Sequence, residues 1–226
     1  MKSIARLSYL LAALLSSTVA QAGNAAAEFS ANSNPAGAWS YGWTTTLGSA
    51  FTLFTNRSSS GGSDFWYGNQ PPLGGSPGYP TVWRSAAVPS DMLLEHPGPA
   101  GEYAVLRWTS PINQTIIVSA EFTAQDPHPT STDVHLRLNG LSLLSGFINS
   151  ASDKVTFSQA VSFNQGDKLD FAVGYGSNNN YFFDATGIRA TVGAVPEPAT
   201  ISLCLTGLYF VIRKTRRTQC AVAAEA

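Results

Sequence analysis

The stretch Val134-His135-Leu136-Arg137-Leu138-Asn139-Gly140-Leu141-Ser142-Leu143-Leu144 decides the fold class of this 226-residue chain. Val134, Leu136 and Leu138 alternate with polar residues, which is the period of two of a half-buried β-strand. Asn139-Gly140 accepts the positive φ angles of a type I′ turn, and leucines follow it at once. The stretch therefore predicts a β-hairpin.

The same alternation continues on both sides of the hairpin and predicts further short strands. They fall within residues 103–108, 115–123, 155–163, 169–175 and 188–192. Turn residues recur about every ten positions, and residues 23–195 contain no long apolar run at helical spacing. The pattern predicts an all-β domain, an antiparallel two-sheet β-sandwich of jelly-roll type.

Composition limits the partners of the chain and the forces that hold it together. The formal net charge is −1, and no basic patch indicates a nucleic-acid partner. The two cysteines, Cys204 and Cys220, both lie beyond residue 195. Residues 23–193, which we expect to fold as one domain, therefore depend on packing rather than on disulfides.

The N-terminus predicts a secretory signal peptide over residues 1–22. Lys2 and Arg6 form a charged region, residues 7–15 are apolar, and Ala20-Gln21-Ala22 is a small-x-small cleavage site. We therefore expect cleavage after Ala22 and export of the remaining chain.

The C-terminus predicts a short membrane helix over residues 199–212. This apolar run follows Pro196-Glu197-Pro198. At about 1.5 Å rise per residue it covers only part of a roughly 30 Å hydrocarbon core. A basic cluster over residues 213–217 follows the run and predicts that residues 218–226 are cytoplasmic. The cluster consists of Arg213, Lys214, Arg216 and Arg217.

This three-part order, over residues 194–217, resembles the PEP-CTERM sorting tail of Gram-negative bacteria. The resemblance implies that Pro196, Glu197 and Pro198 are recognised by exosortase, a membrane-embedded cysteine protease that removes the tail. Residues 219–226 extend past the arginines, which departs from the family pattern. We expect an inner-membrane-tethered precursor and then a cell-surface or extracellular protein. An ordinary membrane anchor after a proline-rich linker is the alternative.

Aromatic residues crowd the first half of the predicted domain, around loops rich in glycine, serine and proline. Such rings can stack on the apolar faces of sugars, or they can cover the core beneath long loops. The sequence leaves both interpretations open. The residues are Trp39, Tyr41, Trp43, Phe65, Trp66, Tyr67, Tyr79 and Trp83.

Strand alternation and flanking loops separate these aromatics into two groups. Trp39, Tyr41 and Trp43 project to one side of an extended segment, either as an exposed platform or into the core, and we favour burial for the first two. Trp66 and Trp83 are flanked by glycine- and proline-rich loops, so we expect them to be exposed. The candidate ligand-binding residues are Trp43, Trp66, Tyr67 and Trp83.

Four segments together resemble a recurring ectodomain of PEP-CTERM proteins, which is similar in style to carbohydrate-binding jelly-roll domains. The resemblance implies the fold more strongly than the ligand. The segments are residues 34–43, 94–99, 102–108 and 166–174.

No residue pattern predicts an enzyme. The sequence has no Gly-x-Ser-x-Gly nucleophile elbow, because its match at residues 74–78 lies in a loop rich in glycine and proline, and residues 23–195 contain no cysteine nucleophile. The histidines are His96, His128 and His135, none in a nucleophile context. Four carboxylates could flank a glycosidic bond, but no spacing pairs them. They are Asp91, Glu95, Glu102 and Asp184.

Two Asp-x-His motifs are a weak indication of a metal site. On a strand, Asp133 and His135 share a face and could bind one ion, with Asp126 and His128 adding ligands from a loop. A polar strand face is the alternative, and we favour it. We expect no cofactor; a structural calcium ion beneath the loops is the one exception considered, and no residue is assigned to it.

These observations favour a non-catalytic protein that binds or organises extracellular polysaccharide. A glycan-active enzyme on the same scaffold would require a close pair of carboxyl groups in a cleft. A purely structural matrix protein would have neither a pocket nor an exposed aromatic platform.

Overall fold

A computed structural model describes residues 23–70, 72 and 75–194 of the protein. The predicted signal peptide and nearly all of the predicted sorting tail, including its motif, membrane helix and basic cluster, lie outside these residues. Among the described residues, no helix is long and apolar enough to span a membrane.

The described residues form fourteen β-strands and one short 3-10 helix, Gly176–Asn178. The strands are β1 (Gly23–Asn24), β2 (Trp39–Thr44), β3 (Thr52–Leu53), β4 (Asn56–Ser60), β5 (Ser63–Gln70), β6 (Tyr79–Ser85), β7 (Leu93–His96), β8 (Tyr103–Thr109), β9 (Gln114–Ala124), β10 (Thr132–Leu138), β11 (Leu141–Ile148), β12 (Lys154–Phe163), β13 (Lys168–Gly174) and β14 (Thr186–Ala194).

The strands form two antiparallel sheets. The larger sheet has the order β12-β9-β14-β7-β6-β5-β4, with β1 added beside β14, and the smaller sheet has the order β11-β10-β13-β8-β2-β3. From β8 to β14 the chain crosses between the sheets at almost every connection, which is typical of jelly-roll topology. The predicted all-β, antiparallel two-sheet sandwich is confirmed.

The predicted hairpin is present as β10 and β11. Leu138 pairs with Leu141 across a two-residue turn. The turn residues Asn139 and Gly140 have φ angles of 49° and 82°, as a type I′ turn requires.

The core lies between the sheets and is built from one face of each strand. On β8, Leu106 and Trp108 are buried between the sheets, whereas Arg107 points outward and binds Asp170. On β13, Phe171 is fully buried and its ring lies 6.0 Å from that of Trp39. The period-two alternation read from the sequence therefore corresponds to inward and outward faces.

Trp39 and Tyr41 are both completely buried, which confirms the burial interpretation for these two rings. The Tyr41 hydroxyl accepts a hydrogen bond from the backbone N–H of Ser30 at 3.2 Å. Trp43, further along the same strand, is half-buried and packs against the core. The three rings therefore do not form an exposed platform.

The expectation that Trp66 is exposed is wrong. Only 5% of this residue is exposed, because Trp66 pairs with Val82 on the inner face of the larger sheet. Its indole N–H donates to the carbonyl of Ser30 at 2.7 Å, and its ring stacks 6.3 Å from that of Tyr41. The glycine-rich loops on either side suggested a loop position, but residue 66 lies within the regular strand β5.

Candidate functional site

The candidate site begins on the outer face of the larger sheet, the face turned away from the core. Phe65 on β5 pairs with Trp83 on β6, one residue out of phase with the inward Trp66. Their rings stack with centroids 6.0 Å apart. His96 on β7 pairs with Thr81 and lies on the same outer face. Alternation along three adjacent strands thus gathers aromatic rings on a surface that the core does not use.

The loop between β13 and β14 adds a second aromatic group opposite these strands. Tyr181 makes edge contacts with Tyr79 at 5.4 Å and with His96 at 5.8 Å between ring centroids. Phe182 and Phe183 follow and remain 46% and 44% exposed. Adjacent exposed rings form an apolar patch, and patches of this kind can mark a binding surface.

Local hydrogen bonds and backbone geometry hold this loop in place. The Asn180 side-chain oxygen accepts from the backbone N–H of Phe182 at 3.0 Å, which forms an Asx turn. Phe183 has a φ of +69°, an uncommon angle for a bulky residue. Its ring stacks on His128 with centroids 4.1 Å apart. These contacts define the loop conformation that presents the exposed rings.

The two groups enclose a cleft of about 450 Å³, within the usual range for a small-molecule site. We name it the aromatic cleft. Its lining residues are Phe65, Gly75, Ser76, Tyr79, Trp83, His96, Asp126, Tyr181, Phe182, Phe183 and Ala185.

His96 supplies an uncharged hydrogen-bonding group to the cleft. Burial lowers the pKa of its imidazole to about 4, against a weaker opposing effect of the Pro97 backbone. Its Nδ1 lies 2.9 Å from the Pro97 carbonyl oxygen. Because a carbonyl only accepts, Nδ1 carries the proton and Nε2 is an acceptor.

Asp126 supplies the carboxylate of the cleft, two residues after β9 ends. It has no hydrogen-bond or ion-pair partner within the described part of the chain. The pKa of Tyr79 is raised mainly by burial, and the charge of Asp126 adds to the rise. The cleft therefore combines several ring faces with a few polar groups, the usual composition of a site that orients a small ligand.

Trp83 is half-buried rather than exposed as expected, and it is the one predicted ligand-binding residue that lines the aromatic cleft. Trp66 lies in the core, and Trp43 and Tyr67 are half-buried outside the lining. The run Tyr181-Phe182-Phe183 was missed, although three consecutive aromatics after Asn178-Asn179-Asn180 are visible in the sequence as an unusual loop.

The four carboxylates considered above as possible glycosidase residues each have different neighbours. Asp91 binds Arg189 at 2.9 Å, and Glu102 accepts from the backbone N–H of Ala100 at 2.9 Å. Glu95 is completely buried. Asp184 is also fully buried and accepts from Thr132 at 2.6 Å, and burial raises its pKa to about 7.

The residues of the two Asp-x-His motifs also make separate contacts. His135 lies between Asp133 and the Ser145 hydroxyl, with its Nε2 2.7 Å from the carboxylate and its Nδ1 3.0 Å from the serine oxygen. The Tyr103 hydroxyl donates to the same carboxylate at 2.7 Å. In the part of the chain that the structure describes, no group of three or more His, Cys, Asp or Glu residues is arranged to hold a metal ion.

No family model matches the chain, and no curated protein matches it. Among solved structures, it is similar to the CBM51 from Clostridium perfringens GH95 in complex with methyl-galactose, with 13% identity, a TM-score of 0.37, and coverage of 62% of this chain and 94% of that one. CBM35 from Paenibacillus barcinonensis matches at 14% identity and a TM-score of 0.28, covering 45% and 78%. Rabbit GITRL matches at 15% identity and a TM-score of 0.29, covering 40% and 74%. The class that the geometry itself defines is a β-sandwich with an aromatic cleft on the outer face of one sheet.

Proposed function

We propose that the protein binds glycans without catalysis, through the aromatic cleft. The observation that carries this proposal is the exposure of Phe182 and Phe183 beside Trp83, at the mouth of a cavity of about 450 Å³. Sugar rings present apolar C–H faces that pack on aromatic rings, and their hydroxyls need a few polar partners. Asp126 and Nε2 of His96 offer acceptors for those hydroxyls.

Two alternatives receive less support. A retaining or inverting glycosidase needs two carboxyl groups about 5–9 Å apart across the bond, and Asp126 is the one carboxylate among the described lining residues. A purely structural matrix protein has no reason to hold exposed rings around a cavity, because exposed apolar surface favours aggregation.

Export and sorting belong to the same proposal. Residues 1–22 have the charge and hydropathy pattern of a signal peptide, and the sorting tail has the Pro196-Glu197-Pro198 motif, an apolar run and a basic cluster. We propose that exosortase sorts the protein from the inner membrane to the cell surface or extracellular matrix, where it binds or organises extracellular polysaccharide.

The binding proposal is tested by affinity electrophoresis of the purified protein in gels that contain polysaccharides. We expect retardation by at least one polysaccharide. Phe182→Ala and Trp83→Ala should each weaken binding about 5- to 30-fold, because a stacked ring contributes about 1–2 kcal/mol.

The matched control is Phe147→Ala, which removes another exposed phenylalanine, 58% exposed, on β11 of the opposite sheet. Circular dichroism verifies that each variant is folded. If folded Phe182→Ala and Trp83→Ala proteins are retarded as strongly as the unmodified protein, the cleft is not the glycan site.

A further inference from the structure

We infer that the aromatic cleft selects glycans that carry protonated amines over neutral and acidic glycans. The corresponding ligand is a polymer or oligomer of de-N-acetylated hexosamine. The inference rests on the proposed function and adds the chemical class of the ligand.

The charge of the cleft is the first argument. Asp126 lines it, whereas the described lining residues include no lysine or arginine. The Asp126 carboxylate has no hydrogen-bond or ion-pair partner within the described residues, so its charge is available to a ligand. A ligand carboxylate or sulfate entering this cleft would meet a like charge and no compensating cation, which disfavours acidic glycans.

His96 does not provide the missing positive charge. Burial lowers its pKa to about 4, so the imidazole is neutral in slightly acidic as well as neutral solution. Because Nδ1 donates to the Pro97 carbonyl, the acceptor that remains on this cleft-lining imidazole is Nε2. An ammonium group has three N–H donors and no acceptor, which matches Nε2 together with a carboxylate.

The rings are the second argument. The face of an aromatic ring carries negative charge density and attracts a cation within about 6 Å of its centroid. Trp83, Tyr181, Phe182 and Phe183 all line the cavity that also contains Asp126. An ammonium group on a sugar therefore gains charge attraction from both the carboxylate and the ring faces, whereas an uncharged N-acetyl group at the same position gains packing and a single N–H donor.

The test compares three ligands with the same purified protein in a slightly acidic buffer: a glucosamine oligomer, its N-acetylated counterpart, and an oligogalacturonate. We expect the amine-bearing oligomer to bind about tenfold more tightly than the acetylated one and the oligogalacturonate to bind least. Added salt should reduce this preference, because it screens an exposed charge pair.

Asp126→Asn keeps the size of the side chain and removes its charge. We expect this variant to bind the amine-bearing and acetylated oligomers within about twofold of each other, with unchanged affinity for the acetylated oligomer. Asp91→Asn is the control, because it removes a carboxylate that lies outside the cleft lining.

The outcomes separate this inference from the proposed function. Equal binding of the amine-bearing and acetylated oligomers by the unmodified protein overturns the inference and leaves glycan binding intact. A preference of undiminished size in Asp126→Asn also overturns it, because the carboxylate would then contribute nothing to the selection. Failure to bind any glycan overturns both.

Discussion

At the scale of single residues, Glu95 shows how strongly the two faces of one strand differ. It pairs with Val82 and lies completely buried between the sheets, whereas its neighbour His96 lines the aromatic cleft. Neither carboxylate oxygen has a hydrogen-bond partner among the described residues. Burial raises the pKa of Glu95 well above its usual range, and the nearby backbone of Leu106 offsets part of this effect. Burial therefore favours the protonated, neutral form of Glu95 in the core.

Glu95→Gln tests this protonation state through the pH dependence of stability. The unfolded chain releases the Glu95 proton near pH 4.3, whereas the folded chain retains it to higher pH. The stabilising contribution of this group is therefore complete below about pH 4.3 and is lost as the pH rises toward the folded-state pKa. Glutamine cannot ionise. The free energy of unfolding of Glu95→Gln should therefore rise relative to the unmodified protein by about 1.4 kcal/mol per pH unit over this range.

The measurement is urea denaturation of both proteins at about pH 5 and about pH 7. Other titrating groups are common to both proteins and cancel in the difference. A difference in unfolding free energy that stays constant between the two pH values would mean that Glu95 is already ionised in the folded protein.

At the scale of elements, the sequence predicts the buried face of a strand well where the residues of that face are aliphatic. It does not predict the buried face where aromatic residues occur on both faces of the strand. The hairpin of β10 and β11 follows from Val134, Leu136 and Leu138, whose inward side is unambiguous. On β5, Phe65 and Trp66 are adjacent, and only the register with β6 places one in the cleft and the other in the core. A sequence period of two assigns the residues of a strand to two faces, but it does not show which face is buried.

The site was predicted less completely than the fold for a related reason. The aromatic cleft combines residues from β5, β6 and β7 with Tyr181, Phe182 and Phe183 from the loop before β14. This contact spans about half the chain and depends on the crossover between sheets. Local patterns contain no information on such long-range packing, so Trp83 was identified without its partners.

Phe171→Ala tests the assignment of β13 to the core. Phe171 is fully buried and pairs with Leu106 and Leu136 on the neighbouring strands. Its truncation leaves a cavity that the rigid sheets cannot close, so the free energy of unfolding should fall by about 3–5 kcal/mol. Urea denaturation measures the loss, with Phe147→Ala as the control. That exposed ring should change stability by less than about 0.5 kcal/mol. Equal effects of the two substitutions would contradict the core assignment.

At the scale of the whole molecule, the first and last described strands lie side by side. Gly23 pairs with Val192, and Asn24 pairs with Thr191. Cleavage after Ala22 would start the mature chain at β1, and removal of the chain beyond Pro196-Glu197-Pro198 would leave β14 in place, so both cuts would preserve this strand pair. Neither cut would remove a strand of the sandwich. This arrangement suits a domain that is released from the membrane as a folded unit.

The proposed sorting leads to a prediction about the released protein. In a cell with an exosortase, the extracellular protein should lack residues 199–212, because a short span after the motif suits a transient membrane substrate better than a permanent anchor. Peptide mass spectrometry of the extracellular and membrane fractions measures this. Replacing Pro196, Glu197 and Pro198 by alanine should retain the full chain in the membrane fraction, and Phe147→Ala should be processed normally. Extracellular peptides that span residues 199–212 would exclude removal of the tail, since a protein that has lost its membrane helix cannot yield them.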